Sequence, residues 1–210
     1  MPTADNRYEA TDLSHLREAA AACQRCSLWR NATQTVFGEG PVPAKMMLVG
    51  EQPGDKEYLA GHPFVGPAGV ILDRALNAAG IDRAKVYVTN AVKHFKNEPR
   101  GKRRLHKKPN AGEIEACRWW LDEEIALVRP RLTVALGATA AVALMRRPVT
   151  IGRLRGEAIE IESGALWITV HPSYLLRLPD EPSRQCEFAR FVKDLEGAKA
   201  WLAGRSKRAT

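Results

Sequence analysis

The chain has no apolar run approaching the roughly 20 residues that a membrane-spanning helix needs. Its opening residues, MPTADNRYEATDL, lack the charged-then-apolar layout of a secretory signal. A cytoplasmic protein with no membrane partner is therefore expected. Acid is in short supply: 24 Asp and Glu stand against 32 Lys and Arg, a net charge of +8 and a pI near 9.5. That surplus favours a polyanionic partner, either nucleic acid or an anionic surface. Cysteine is scarce, with Cys23, Cys26, Cys117 and Cys186 only. In a reducing compartment the single C-x-x-C pair points to metal or redox chemistry before a structural disulfide. Internal repeats, low-complexity linkers and an interface signature are missing too, so the 210 residues read as one monomeric domain over 11–203. A loose arm (1–10) and a short tail (204–210) flank it.

What is present has an alternating rhythm. A helix is expected over 12–24, capped by Asp12 or Ser14 and delivering Cys23 and Cys26 at its end. KMMLVG (45–50) reads as a buried strand, EQPGDKE as a turn, and GPAGVILDRALNAAG (66–80) as a helix closed by Gly80. KVYVTNAV (85–92) and RLTVALG (131–137) read as strands, 111–128 and 138–145 as helices, 156–162 and 165–170 as strand-like pieces, and 184–203 as a closing helix. Strands alternating with helices imply a three-layer α/β/α domain around a mainly parallel sheet. Sites in such sheets form beyond the carboxyl ends of strands. GEQPG, TN and HPS all fall at such ends.

Between the second strand and the next helix lies KHFKNEPRGKRRLHKK (93–108), with eight Lys or Arg against one Glu. Buried charges need partners, so this basic loop (93–110) is expected on the surface, facing an anion. It presents His106, an imidazole able to act as a nucleophile; the alternative is a solvated basic turn. The GEQPG turn, with Glu51, can cradle an anion or a base edge, or is a tight solvated loop. Phe64, between Pro63 and Gly66, stacks on a base or anchors the core. Asn90 carries the donor and acceptor that a base edge requires, or is a satisfied strand-end amide. His171, in VHPS, gains functional weight from Ser173 and Arg177 nearby. Cys23, Cys26 and Cys117 are thiols that helices could bring together around zinc or an iron–sulfur cluster.

In order, C-x-x-C, VFGEGPVP, MMLVGEQPG, GHPFVGPAG, VYVTNAVK, EIEAC, RPRLTVALGATA and TVHPS resemble the uracil-DNA glycosylase superfamily, in its iron–sulfur-containing family 4 branch. The match runs from Cys23 to Arg177. Three departures stand out: Gln52 in the GEQPG turn, His94 where the family has its third cluster cysteine, and the KRRLH insert. All three resemble the UdgX type, which excises uracil and stays covalently attached to the abasic sugar through the loop histidine. The resemblance implies a 4Fe-4S cluster on Cys23, Cys26, His94 and Cys117. Cys186, which has no counterpart in the family, is the all-cysteine alternative to His94; with His94 as ligand it is expected to be a buried, inert thiol. It implies uracil-containing DNA as partner, single strands included, and free uracil as product. Asn90 would read the uracil edge and Phe64 would stack on it. Gln52, Gly54, Asp55 and Ser173 would surround base and sugar. His171 would steady the departing uracil, Glu51 the sugar or His106, and His106 would capture the sugar. Lys102, Arg103, Arg104, Lys107 and Lys108 would hold phosphates, and their positive charge would keep His106 neutral.

Overall fold

The computed structural model describes residues 12–101 and 103–206. The expected arm (1–10), Lys102 and residues 207–210 lie outside them. Helix α1 (Leu13–Ala21) is capped by Asp12, whose carboxylate accepts from Ser14 N and His15 N. Strand β1 (Met46–Gly50) runs into α2 (Asp55–Ala60) and α3 (Pro67–Ala78), and the chain returns as β2 (Val86–Asn90). Two short strands, β3 (Asn97–Arg100) and β4 (Arg103–His106), precede α4 (Ala111–Val128). Then come β5 (Leu132–Leu136), α5 (Ala138–Met145), α6 (Ile151–Leu154), β6 (Ala158–Ile161), β7 (Gly164–Thr169), α7 (Pro172–Leu175) and α8 (Glu181–Ser206).

The main sheet has the order β2-β1-β5-β7-β6, parallel throughout except for β6 at the edge. Strands β1, β2 and β5 are buried at every residue, as near-continuous apolar strands covered on both faces must be. One face packs on α1, α4 and α5, through Leu16, Cys117, Leu121 and Ala141. The other packs on α3 and α8, through Leu72, Leu76, Phe191 and Leu195. Full burial of each such leucine contributes about 2 kcal/mol. Helix α4 starts where Asn110 and Glu113 cap each other reciprocally, and ends at Arg129 in a left-handed conformation, just before Pro130.

Three expectations need correction. Residues 93–95 are not part of a surface loop: Lys93, His94 and Phe95 are all buried. Lys93 is tolerated there because its Nζ lies 2.5 Å from Glu124 Oε2 and also donates to Thr89 Oγ1 and Asn90 O. The rest of the basic stretch is not irregular but a β3–β4 hairpin, Asn97 opposite His106 and Arg100 opposite Arg103, turning at Gly101. DKE is the start of α2 rather than a turn.

Candidate active site

The parallel strands end side by side along one edge of the sheet. Asn90 comes from β2, Glu51 follows β1, Thr139 follows β5 and His171 follows β7. The crossovers explain why a crevice opens there. The β1-to-β2 connection uses α3 on one face, and the later connections use α4 and α5 on the other. Strand order therefore switches between β1 and β5, where open α/β sheets hold their ligands. The crevice has two lobes. A cavity of about 660 Å³ is lined by Phe64, Asn90, Gln52 and Gly54, and a second of about 440 Å³ by Thr139, Ile151 and Tyr174. Glu51, His106, His171 and Arg177 belong to both.

His171 caps α7. Ser173 N donates to its Nδ1 at 3.1 Å, and Ser173 Oγ lies 2.8 Å from the same nitrogen. A backbone N–H can only donate, so Nδ1 holds the lone pair and the proton of the neutral ring sits on Nε2. Burial, then the charges of Arg177 and His106, push the imidazole down to about 4. His171 is thus a neutral N–H donor at physiological pH. Arg177 donates to Ser173 Oγ at 3.1 Å, which fixes that hydroxyl. Ser173 therefore positions His171, and it also lines the larger lobe.

Asn90 is 2% exposed, yet its Oδ1 is buried without a hydrogen-bond partner. An orphaned acceptor on a cavity wall is a site for a donor from outside, because leaving it unmet costs about 1–3 kcal/mol. Phe64 adopts φ 56 and lies 6.0 Å from the His171 ring. Both readings of Phe64 hold at once: it belongs to the core and one side of it walls the cavity. Gly50 makes this closeness possible. A Cβ there would come within 2.4 Å of Asn90 Oδ1 and 2.6 Å of Phe64 Cζ.

His106 ends β4 with half its side chain exposed. Gln52 ties it to the crevice. The Gln52 Oε1 accepts from Lys96 N at 3.0 Å, and the two hydrogens on its Nε2 are shared among Lys107 O at 3.0 Å, His106 Nε2 at 2.9 Å and, at the longer distance of 3.3 Å, Lys96 O. Those backbone partners fix the amide orientation, so the contact of 2.9 Å to His106 Nε2 is a donation from Gln52. The lone pair of His106 is therefore on Nε2, which also lies 3.5 Å from Glu51 Oε1. Thr139 Oγ1 donates to the other Glu51 oxygen at 2.5 Å. The expected direction of the His106 shift is correct but its cause is not. Burial lowers it first and Arg177 adds to that, while Glu51 opposes; the neighbouring hairpin cations are not the source.

Several expected ligand contacts are used internally. The Gln52 amide is spent on the hairpin. Asp55 is 2.5 Å from Arg104 Nε, and Arg104 also lies over the Tyr58 ring. Lys107 pairs with Glu98 at 2.5 Å. Among the described residues Arg103 and Lys108 form no ion pair, and Lys108 lines the second lobe. Gly54 contributes backbone: its N–H goes to Glu57, whose other oxygen takes Gly66 N at 2.7 Å. Glu57 thereby joins the turns that open α2 and α3. Glu57 and Thr139 were missed from sequence. Thr139 stands in GAT at a strand end, a position that could have drawn attention.

Away from the crevice, Cys23, Cys117 and His94 are buried and Cys26 is half-buried. Cys117 is pushed up to about 12 by burial, with Lys93 opposing and the Cys23 and Cys26 charges adding, so the three thiols feel one another. Trp120 Nε1 donates to Cys23 Sγ at 3.1 Å and Lys93 N to Cys117 Sγ at 3.2 Å. His94 Nδ1 is buried without a partner, and His94 and Cys23 border one small cavity. Among the described residues no group of three or more His, Cys, Asp or Glu is gathered around a single metal-ion position. Cys186 corrects an expectation: it is exposed, on α8, across the sheet from Cys117. It is no substitute for His94.

Residues 37–196 match the Uracil DNA glycosylase superfamily. A type-4 uracil-DNA glycosylase of Pyrobaculum aerophilum is 38% identical over 179 residues, covering 80% of this chain and 86% of that protein. One of Thermotoga maritima is 38% identical over 188 residues, covering 88% and 92%. One of Saccharolobus solfataricus is 33% identical over 168 residues, covering 78% and 74%. With the strand-end crevice, these matches establish that the chain belongs to the uracil DNA glycosylase superfamily.

Proposed function

We propose that this protein excises uracil from DNA and that His106 then captures the abasic sugar as a covalent adduct. The observation that carries the excision reading is the buried, unpartnered Asn90 Oδ1 in a cavity whose other wall offers the Nε2–H of His171. Uracil presents a donor at N3 and acceptors at its carbonyls, the complement of that pair. A flipped nucleotide places its base against Phe64. As the bond from N1 to C1′ breaks, its electrons leave with uracil and the sugar becomes oxocarbenium-like. His171 Nε2–H stabilises the uracil anion, and Glu51 faces the cation.

The adduct reading rests on the Nε2 lone pair of His106, 3.5 Å from Glu51. That lone pair forms a bond to C1′, turning the neutral imidazole into a substituted imidazolium as uracil departs as an anion. One observation favours conventional turnover instead: the Gln52 N–H already occupies the lone pair, so capture requires His106 to leave Gln52.

Cys23, Cys26, His94 and Cys117 would hold a 4Fe-4S cluster. Thiols that interact, two N–H donors aimed at sulfur and an orphaned imidazole nitrogen suit such a group. A cluster offers each ligand its own iron, so the four need not meet at one point. Bound there, it would pin the C-x-x-C segment to α4. Brown colour lost on cysteine substitution tests this independently of catalysis.

The functional test is a uracil-containing single strand incubated with the protein, heated in detergent and run on a denaturing gel. A covalent band with uracil, absent with thymine, is expected. His106→Gly should abolish the band while free uracil still appears. An unshifted strand with an abasic site in the unsubstituted protein would leave turnover excision; neither product would end both readings.

A further inference from the structure

Apart from the residues it shares with the base cavity, and Thr139, which holds Glu51, the second lobe has no task in breaking the glycosidic bond. It lies at the ends of β5 and β7, beside the base cavity at the ends of β1 and β2, and the two share Glu51, His106, His171 and Arg177. Its remaining walls are mostly apolar. Leu136 and Val170 line it, Ile151 at the start of α6 faces it, and Tyr174 lines it while 41% exposed. Lys108 and Arg177 also line it. Next to Ile151 the chain is open: a Cβ on Gly152 would meet nothing within 4 Å.

We propose that the lobe between Tyr174 and Ile151 is a subsite for the nucleobase adjacent to the excised uracil in the same strand. The inference rests on the excision reading, because that reading places the sugar at the residues the two lobes share. With the uracil in the first lobe and its sugar at Glu51 and His106, the neighbouring nucleotide is a single linkage away. The lobe offers it an aromatic face and an aliphatic wall, with two cations among its lining for the one intervening phosphate. Apart from the groups shared with the chemistry, it has little with which to read a base edge. Every base has a π-face, so the subsite accepts any of the four but requires that one be present. It also requires that base to be unstacked from its own neighbours, which favours a single strand.

The test measures the second-order rate of uracil release from single strands. Uracil is flanked by ordinary bases, or by an abasic tetrahydrofuran residue on its 3′ or its 5′ side. The wild-type rate is expected to fall about tenfold when the base on one side is removed, the size of one stacking contact. Tyr174→Ala should lose about tenfold on the intact strand and nothing further on that abasic strand. Tyr174→Phe, which keeps the ring, should restore the discrimination. Because the Tyr174 ring is exposed, its removal leaves no buried void, and an unchanged thermal midpoint checks this. Equal losses for Tyr174→Ala on intact and abasic-flanked strands would overturn the subsite, as would a wild-type rate indifferent to both flanks. Should the wild type release no uracil from any strand, it is the excision reading that fails. The subsite is then decided by equilibrium binding of the same strands: the same pattern in affinity upholds it, and equal affinities overturn it.

Discussion

Two histidines face the same crevice from opposite kinds of scaffold. His171 follows a buried parallel strand, and its ring is locked by a backbone N–H two residues on. His106 ends an exposed hairpin, half its side chain open to solvent, and is held by one glutamine amide. Both are shifted toward neutrality, but their protons are arranged oppositely. His171 turns an N–H to the cavity; His106 keeps its lone pair there. Which ring nitrogen a neighbouring N–H occupies decides where the proton of a neutral imidazole sits: Ser173 N takes Nδ1 of His171 and Gln52 takes Nε2 of His106. On the reading proposed above, the first serves as donor and the second, on its more exposed scaffold, as nucleophile.

The largest effect should come from the rigid partner. On the reading proposed above, His171→Ala removes a donor aimed at developing negative charge, a change that costs about a hundredfold to a thousandfold in comparable sites. Uracil release should fall by that factor, and adduct formation with it, since capture follows bond breaking. His106→Gly should spare release. If His171→Ala abolished the adduct while release stayed at the wild-type rate, the assignment of donor and nucleophile would be reversed.

Acid stability sharpens the contrast. His171 titrates near 4 in the folded protein against 6.5 for the free side chain. Between those values the unfolded chain binds a proton that the folded chain refuses, so stability is full above pH 6.5 and declines as pH falls toward 4. The loss from this group totals about 3 kcal/mol. His106 is lowered in the same direction but is half-exposed, and contributes less. Denaturant melts at stepped pH should show a decline that His171→Ala flattens and His106→Gly barely changes. Equal flattening by both would mean that the two environments differ less than their scaffolds do.

The sequence made the buried half of this arrangement legible. Apolar runs marked β1, β2 and β5, and Asn110 with Pro130 bracketed α4. The positions of Asn90 and His171 at strand ends followed from that rhythm. The exposed half was harder to read. Strands β3 and β4 are polar on both faces, so no alternation betrays them, and only the Gly101 turn hints at a hairpin. Lys93 looked like the first residue of a surface loop because its partner, Glu124, lies 31 positions along the chain. Pairings of Asp55 with Arg104 and of Glu98 with Lys107 arise from tertiary placement, which no local pattern encodes. Net charge is a sum that the composition gives directly, whereas the internal partner of each Lys or Arg depends on the fold.

The smallest expected effect lies in the salt dependence of strand binding. A cation that grips a phosphate displaces a counterion, and on single strands each contact adds about 0.7 to the slope of log affinity against log salt. Arg103 and Lys108, without ion pairs among the described residues, should each remove about that much when changed to Gln. Arg104 and Lys107 are already neutralised by Asp55 and Glu98, so Arg104→Gln and Lys107→Gln should remove distinctly less. Slopes measured with a uracil-free strand keep catalysis out of the comparison. If Arg104→Gln lowered the slope as much as Arg103→Gln, the hairpin would exchange Asp55 for phosphate on binding, and the scaffold that carries His106 would prove mobile down to its anchoring ion pair.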